Sequence, residues 1–192
     1  MNKANLFLVT HPDVVIDPKQ PVNDWVLSED GLKRASLLME ELFWNEVDEI
    51  YSSTESKART VAEMAAQHFK KPLFFKDCLV EIDRSSTGFL PYDEFMETVN
   101  LFFENHERSC RGWEPAKDAL KRVAECVGKI MAENNGKNIA LVGHGAAFAL
   151  LLCYIKNIPP TFDMCQDGVG FISEIDWKNK EIISYWRKYG IT

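Results

Sequence analysis

Two segments of this 192-residue chain place a histidine in the same setting. "LFLVTHP" carries His11 and "IALVGHG" carries His144, each an apolar run, one small residue and then the imidazole. Runs of this kind read as strands covered on both faces, as in parallel sheets. Open α/β sheets bind ligands outside the carboxyl ends of such strands, so two neighbouring strands would bring His11 and His144 to one crevice. A single histidine at a strand end is more often a core residue, and the repeated context is what favours function. An imidazole whose ring nitrogen is unprotonated at neutral pH can act as nucleophile, base or metal ligand. No HxH, HExxH or Cys/His spacing accompanies either residue, which makes a two-histidine metal site the poorer reading. His68 and His106 lack the context and are assigned no role.

The elements that must position these rings alternate along the chain. After the first strand, "VNDWVLSEDGLKRASLLMEELFW" reads as a loop and a helix, with Ser28 as N-cap and Leu32, Ala35, Leu38, Met39 and Leu42 in helical spacing. "VDEIYSS" is a short strand and "ESKARTVAEMAAQHF" a helix. "PLFFKDCLVE" gives a strand with an extended segment, and "EPAKDALKRVAECVGKIMAEN" a long helix that tolerates Pro115 in its first turn. "AAFALLLCYI" is an apolar helix behind the second histidine strand, and "GVGFISEIDW" and "EIISYWRKY" form a final pair of strands about the turn "KNKE". The pattern predicts a single α/β domain over residues 1–192, a three-layer α/β/α sandwich with a mainly parallel central sheet. Residues 85–113 fit the alternation poorly and carry Phe89, Tyr92, Phe95, Phe102, Phe103 and Trp113. They read either as a cap folded over the site or as a surface excursion packed on the core.

Composition narrows the partners. Hydrophobic residues make up 46% and charged residues 27%, a folded, soluble balance. A net charge of −7 argues against a nucleic-acid surface but leaves room for a small phosphate in a local positive pocket. The longest apolar stretch, Ala146 to Ile155, is shorter than the ~20 residues of a membrane span, and the amino-terminal run is too short for a signal-peptide core. The five cysteines are odd in number and include no CxxC, so free thiols and a cytoplasmic location are expected.

Several motifs in order resemble the histidine phosphatase superfamily, to which the cofactor-dependent phosphoglycerate mutases belong. That family ends its first strand in Arg-His-Gly and a later strand in His-Gly. "WVLSEDGLKRASLL", "YSSTESKARTVAE", "CLVEID" and "RGWEPAKDALKRV" are similar to further motifs of the family, in the family's order. The resemblance implies a phosphoglycerate mutase-like fold and a phosphatase acting on a small phosphomonoester, without metal or cofactor, through a phosphohistidine on His11. It makes His144 a donor to an equatorial phosphate oxygen, with Gly145 allowing close backbone approach. Glu81 becomes the proton donor to the leaving group, with Asp83 as the alternative. Lys57 takes the place of the family's second phosphate-binding arginine. A mutase is the poorer fit, because the chain lacks the length of the usual mutase insertions.

The sequence also departs from that pattern. Thr10 stands where the family has the arginine before the nucleophile, Pro12 where it has a glycine, and Asp17 where it has an asparagine. Threonine offers a hydroxyl to phosphate but no charge and no planar fork. Losing one such donor costs on the order of 10²–10³ in rate unless something replaces it. Arg84, Ser53 and Ser85 are the candidates for replacement, with a surface ion pair the plain alternative for Arg84. Two readings therefore stand: a working phosphatase on a small phosphorylated substrate, or a weakened member that binds a phosphorylated ligand, phosphate ion or partner protein.

Overall fold

The computed structural model describes residues 4–190. Six strands form one sheet: β1 (Asn5–Thr10), β2 (Glu49–Ser52), β3 (Leu73–Phe75), β4 (Ile139–Gly143), β5 (Phe171–Asp176) and β6 (Glu181–Lys188). Their order is β3-β2-β4-β1-β5-β6. β3, β2, β4 and β1 run parallel, whereas β5 joins β1 antiparallel and β6 closes the edge as a hairpin with β5. The helices are α1 (Glu29–Leu38), α2 (Ser56–Phe69), α3 (Tyr92–Glu104), α4 (Ala116–Glu133) and α5 (Gly145–Lys156).

Alternation along the buried strands sorts the core into two layers. Leu6, Leu8, Ile139 and Leu141 face α4 and α5, meeting Val127, Ile130, Phe148 and Leu151. Phe7, Val9, Ala140 and Val142 face α1 and α2, meeting Ala35, Leu38, Val61 and Ala62. The three-layer α/β/α sandwich expected from the alternation is the observed architecture. Ser28 caps α1, its hydroxyl accepting from the Gly31 N–H at 3.0 Å.

Two expectations need correction. Leu32 and Leu42 do not lie on a buried helix face: α1 stops at Leu38, and both leucines are exposed while Trp44, in a following 3-10 turn, fills the core. The apolar spacing continued past the end of the hydrogen-bonded helix and so misreported its length. Residues 85–113 hold a helix, α3, whose Phe102 and Phe103 join Trp113 in a satellite core against Ala116, Ala119 and Leu150. Finally, Cys78 and Cys126 are joined in a disulfide, leaving Cys110, Cys153 and Cys165 free. An odd count carries no information about whether two cysteines 48 residues apart are brought together. The bond ties the 3-10 turn at Asp77–Leu79 to α4.

The loop after β1 rests on the first turn of α1. The Ser28 N–H donates to the Asp13 carbonyl at 3.0 Å, and a Cβ on Gly31 would stand 2.0 Å from that same oxygen. Helix propensity alone favours alanine over glycine by about 1 kcal/mol. Gly31→Ala is nonetheless expected to lower stability by about 1–3 kcal/mol through overpacking, read as a fall in the urea midpoint. A rise would show that the loop moves freely.

Candidate active site

The carboxyl ends of three adjacent parallel strands carry the chemistry. Ser53 follows β2, His144 follows β4 and His11 follows β1, and β4 lies between the other two strands. Backbone bonds extend the ladder one residue beyond the strands: the His11 N–H donates to the Gly143 carbonyl and the Ser53 N–H to the Val142 carbonyl, both at 3.0 Å. The imidazoles of His11 and His144 meet edge-on, with centroids 5.3 Å apart. The two rings that the repeated strand endings carry are thus brought side by side.

The two rings are held differently. His11 Nδ1 lies 2.8 Å from the Pro12 carbonyl oxygen. A carbonyl only accepts, so Nδ1 carries the proton and Nε2 keeps its lone pair. Burial is the main cause that lowers the His11 pKa to about 4, with the Lys57 cation adding to it and the Pro12 bond and Asp13 opposing. His144 is fully buried. Its Nε2 lies 2.8 Å from Ser53 Oγ and 3.5 Å from Glu55 Oε1. Its Nδ1 is buried without a hydrogen-bond partner among the described residues. Burial, then the neighbouring His11, Lys57 and Arg122, hold its pKa well below the usual imidazole value.

Glu81 reaches the site from the segment after β3. Its carboxylate accepts from the Ala147 N–H at 2.8 Å and the Ala146 N–H at 3.2 Å, at the amino end of α5. That end begins at Gly145, directly after His144. Burial raises the Glu81 pKa, and the Glu55 carboxylate adds to the rise. Arg122 fixes the segment by donating to the Cys78 and Val80 carbonyls at 3.0 Å and the Glu81 carbonyl at 3.3 Å. Asp83, the alternative acid, is exposed and accepts from the Ser85 N–H at 2.9 Å, which lowers its pKa. Of the two carboxyls only Glu81 has the raised pKa of a proton donor.

The positive groups are the surprise. Thr10 is not brought to the crevice: its Oγ1 accepts from the Phe171 N–H at 2.9 Å, so its hydroxyl is spent on the backbone of β5. Lys57 is buried, donating to the Val22 carbonyl at 2.9 Å and to the Glu55 carboxylate. Arg84 lies with its guanidinium 5.1 Å from the Phe95 ring centre and 5.9 Å from that of Trp25. Burial lowers its pKa against the opposing fields of Glu81 and Glu55. Gly145 opens α5, where a Cβ would come 3.3 Å from Gln166 Nε2. Ser53 is at the site, whereas Ser85 is exposed. Asp17 turns its Oδ1 to the Lys19 N–H at 2.9 Å.

Two residues went unnoticed in the sequence. Glu55 is buried among Lys57, His144 and the Glu81 N–H, which donates to its Oε1 at 2.8 Å. Its only signal was an acid placed between Ser53 and Lys57. Arg34 pairs with Asp13 at 2.6 Å and donates to the carbonyls of Val169, Gly170 and Tyr189, bracing the loop after His11. Among the described residues, no group of three or more His, Cys, Asp or Glu side chains is gathered so as to hold a metal ion.

Comparison with known proteins gives one consistent picture. Residues 6–185 match the family model of the histidine phosphatase superfamily (branch 1). Phosphoserine phosphatase 1 of Hydrogenobacter thermophilus is 26% identical over 163 residues, covering 81% of this chain and 77% of the relative. The phosphoserine phosphatase of Entamoeba histolytica, solved with 3-phosphoglyceric acid, superposes with a TM-score of 0.78 at 20% identity, over 98% of each chain. A mycobacterial glucosyl-3-phosphoglycerate phosphatase solved with VO3 gives a TM-score of 0.76 at 18% identity, again over 98% of each chain. These two structures share the fold.

The environment of His11 sets a measurable titration. With its pKa at about 4 in the fold against 6.5 ordinarily, the unfolded chain binds this proton first as the pH falls. The contribution of His11 to stability is therefore constant above about pH 6.5 and declines toward pH 4. Nitrogen-15 NMR is expected to show the ring neutral and protonated on Nδ1 down to about that pH. A ring already cationic at pH 6 would contradict the assignment.

Proposed function

The chain belongs to the histidine phosphatase superfamily, branch 1, and from that premise we propose that it hydrolyses a small phosphomonoester through a phosphohistidine on His11. The observation that supports it most is the pair of strand-end imidazoles, one with Nε2 free and Nδ1 fixed by the Pro12 carbonyl, the other 5.3 Å away by centroid. Phosphoryl transfer asks for positioning and for stabilisation of charge spread over three equatorial oxygens. His11 Nε2 attacks phosphorus as the ester oxygen leaves, and Glu81 gives its proton to that oxygen. The Glu81 carboxylate then takes a proton from water, whose oxygen attacks the phosphohistidine; inorganic phosphate departs and His11 regains its lone pair. His144 donates to an equatorial oxygen. The cations Lys57 and Arg84 hold the charge. Every step uses side chains of this chain, so no metal is called for.

Substrates are proposed from the relatives. Phosphoserine and 3-phosphoglycerate, which appear with the similar structures, are the first phosphomonoesters to offer. Arg84, flanked by the Trp25 and Phe95 rings, is a cation suited to an anionic organic group.

A second reading has its own observation. Thr10 is committed to Phe171 and Lys57 to Glu55, so the crevice has fewer ready cations than two unpaired arginines would supply. A protein so equipped binds a phosphorylated ligand without turning it over. Hydrolysis of a phosphomonoester panel in the presence of a chelator separates the two. The enzyme reading expects turnover by the wild type and a loss on the order of 10⁴-fold or more in His11→Ala. A silent wild type that still binds inorganic phosphate, with binding lost in His144→Ala, supports the second reading. Activity that survives His11→Ala overturns the assignment of the nucleophile.

A further inference from the structure

The buried Glu55 carboxylate touches three groups of the crevice and has no role in the reaction above. It accepts from Lys57 Nζ on one oxygen. The other oxygen accepts from the Glu81 N–H at 2.8 Å and stands 3.5 Å from His144 Nε2. Ser53 Oγ sits 2.8 Å from the same nitrogen and itself accepts from the Glu55 N–H at 3.2 Å. Resting on the proposed reaction, we infer that Glu55 is a positioning residue that lets His144 become an imidazolium when phosphate binds.

Neutral His144 can donate from only one end of its ring. If the ring proton is on Nε2, facing Ser53 and Glu55, then Nδ1 presents a lone pair, which repels a phosphate oxygen. If the proton is on Nδ1, the ring can donate to phosphate, but Nε2 then accepts only from the Ser53 hydroxyl and faces a carboxylate with its lone pair. Only the doubly protonated ring donates to phosphate on one side and to the Glu55 carboxylate on the other. Nε2–H then donates to Ser53 and Glu55, and Nδ1–H, which has no partner among the described residues, donates to the phosphate oxygen. The proton comes from solvent on ligand binding, one per phosphate.

The charges around the ring decide whether that state is reachable. His11 on the β1 side, Lys57 on α2 and Arg122 on α4 all oppose a second proton. The Glu81 carboxylate is turned to the amide groups of Ala146 and Ala147. Glu55 is the carboxylate in reach of Nε2, and a phosphate dianion on the other side of the ring supplies the further negative charge. With Lys57 drawn to the same dianion, Glu55 is freed from its ion pair as the imidazolium forms. A buried carboxylate that gains one cationic partner as it loses another avoids the cost of standing alone.

Nitrogen-15 NMR of His144 at neutral pH, without and with saturating inorganic phosphate, tests this directly. The wild-type ring is expected to be neutral alone and doubly protonated with phosphate. In Glu55→Gln the ring stays neutral with phosphate, phosphate binding weakens about tenfold or more, and the pH optimum for binding moves down. Glu55→Asp restores part of both effects, which a merely structural role would not produce. A wild-type ring that stays neutral with phosphate bound overturns the inference without recourse to any variant. So does an imidazolium that forms equally in Glu55→Gln. A wild type with the imidazolium but no hydrolysis keeps this inference and overturns the phosphatase reading; a hydrolysing wild type with a neutral ring does the reverse. Failure to bind phosphate at all overturns both.

Discussion

Thr10 lies opposite Gly143 across β1 and β4, and Val142 opposite Ser52 across β4 and β2. Because the three strands are parallel and in this register, their carboxyl ends finish within one residue of the same level. The next residue of each strand, His11, His144 and Ser53, therefore stands in a row at the sheet's edge. Antiparallel pairing would have sent alternate ends to opposite sides. The only antiparallel strands among those described, β5 and β6, are at the far side of β1, where they brace the site rather than furnish it. Two core layers, one on each sheet face, lock the register by burying alternate side chains in opposite directions.

Within that frame the crevice is electrostatically restrained. Both imidazoles are pressed toward neutrality by burial. Lysine and glutamate neutralise each other inside the protein, and the remaining arginine is screened by rings. An anion entering such a site meets donors in balance with acceptors, and its own charge must redistribute them. That arrangement differs from a pocket of unpaired guanidinium groups.

The fold was legible because burial on both faces leaves an unbroken apolar run, and "LFLV" and "IALV" carried that mark. Helix starts such as Ser28 were legible because a local side chain satisfies a local amide. The ends were less so: Leu42 kept helical spacing beyond the last bonded turn. Of the site, the histidines were visible from repeated context, and Glu81 and Lys57 from resemblance. Glu55 was not, since its importance lies in contacts with residues 26 and 89 positions away in the chain. Thr10 was misjudged for the same reason, its hydroxyl being claimed by Phe171, 161 positions on. The pairing of Cys78 with Cys126 is likewise a property of packing that residue counts do not hold.

Tyr189 donates its hydroxyl to the Thr10 carbonyl at 2.7 Å, and Arg34 draws the Tyr189 and Gly170 carbonyls toward Asp13. The backing of the first histidine is thus completed by a residue at the opposite end of the described chain. Without the Tyr189 hydroxyl and the Arg34 guanidinium, the end of β1 would carry its imidazole with no wall at its back.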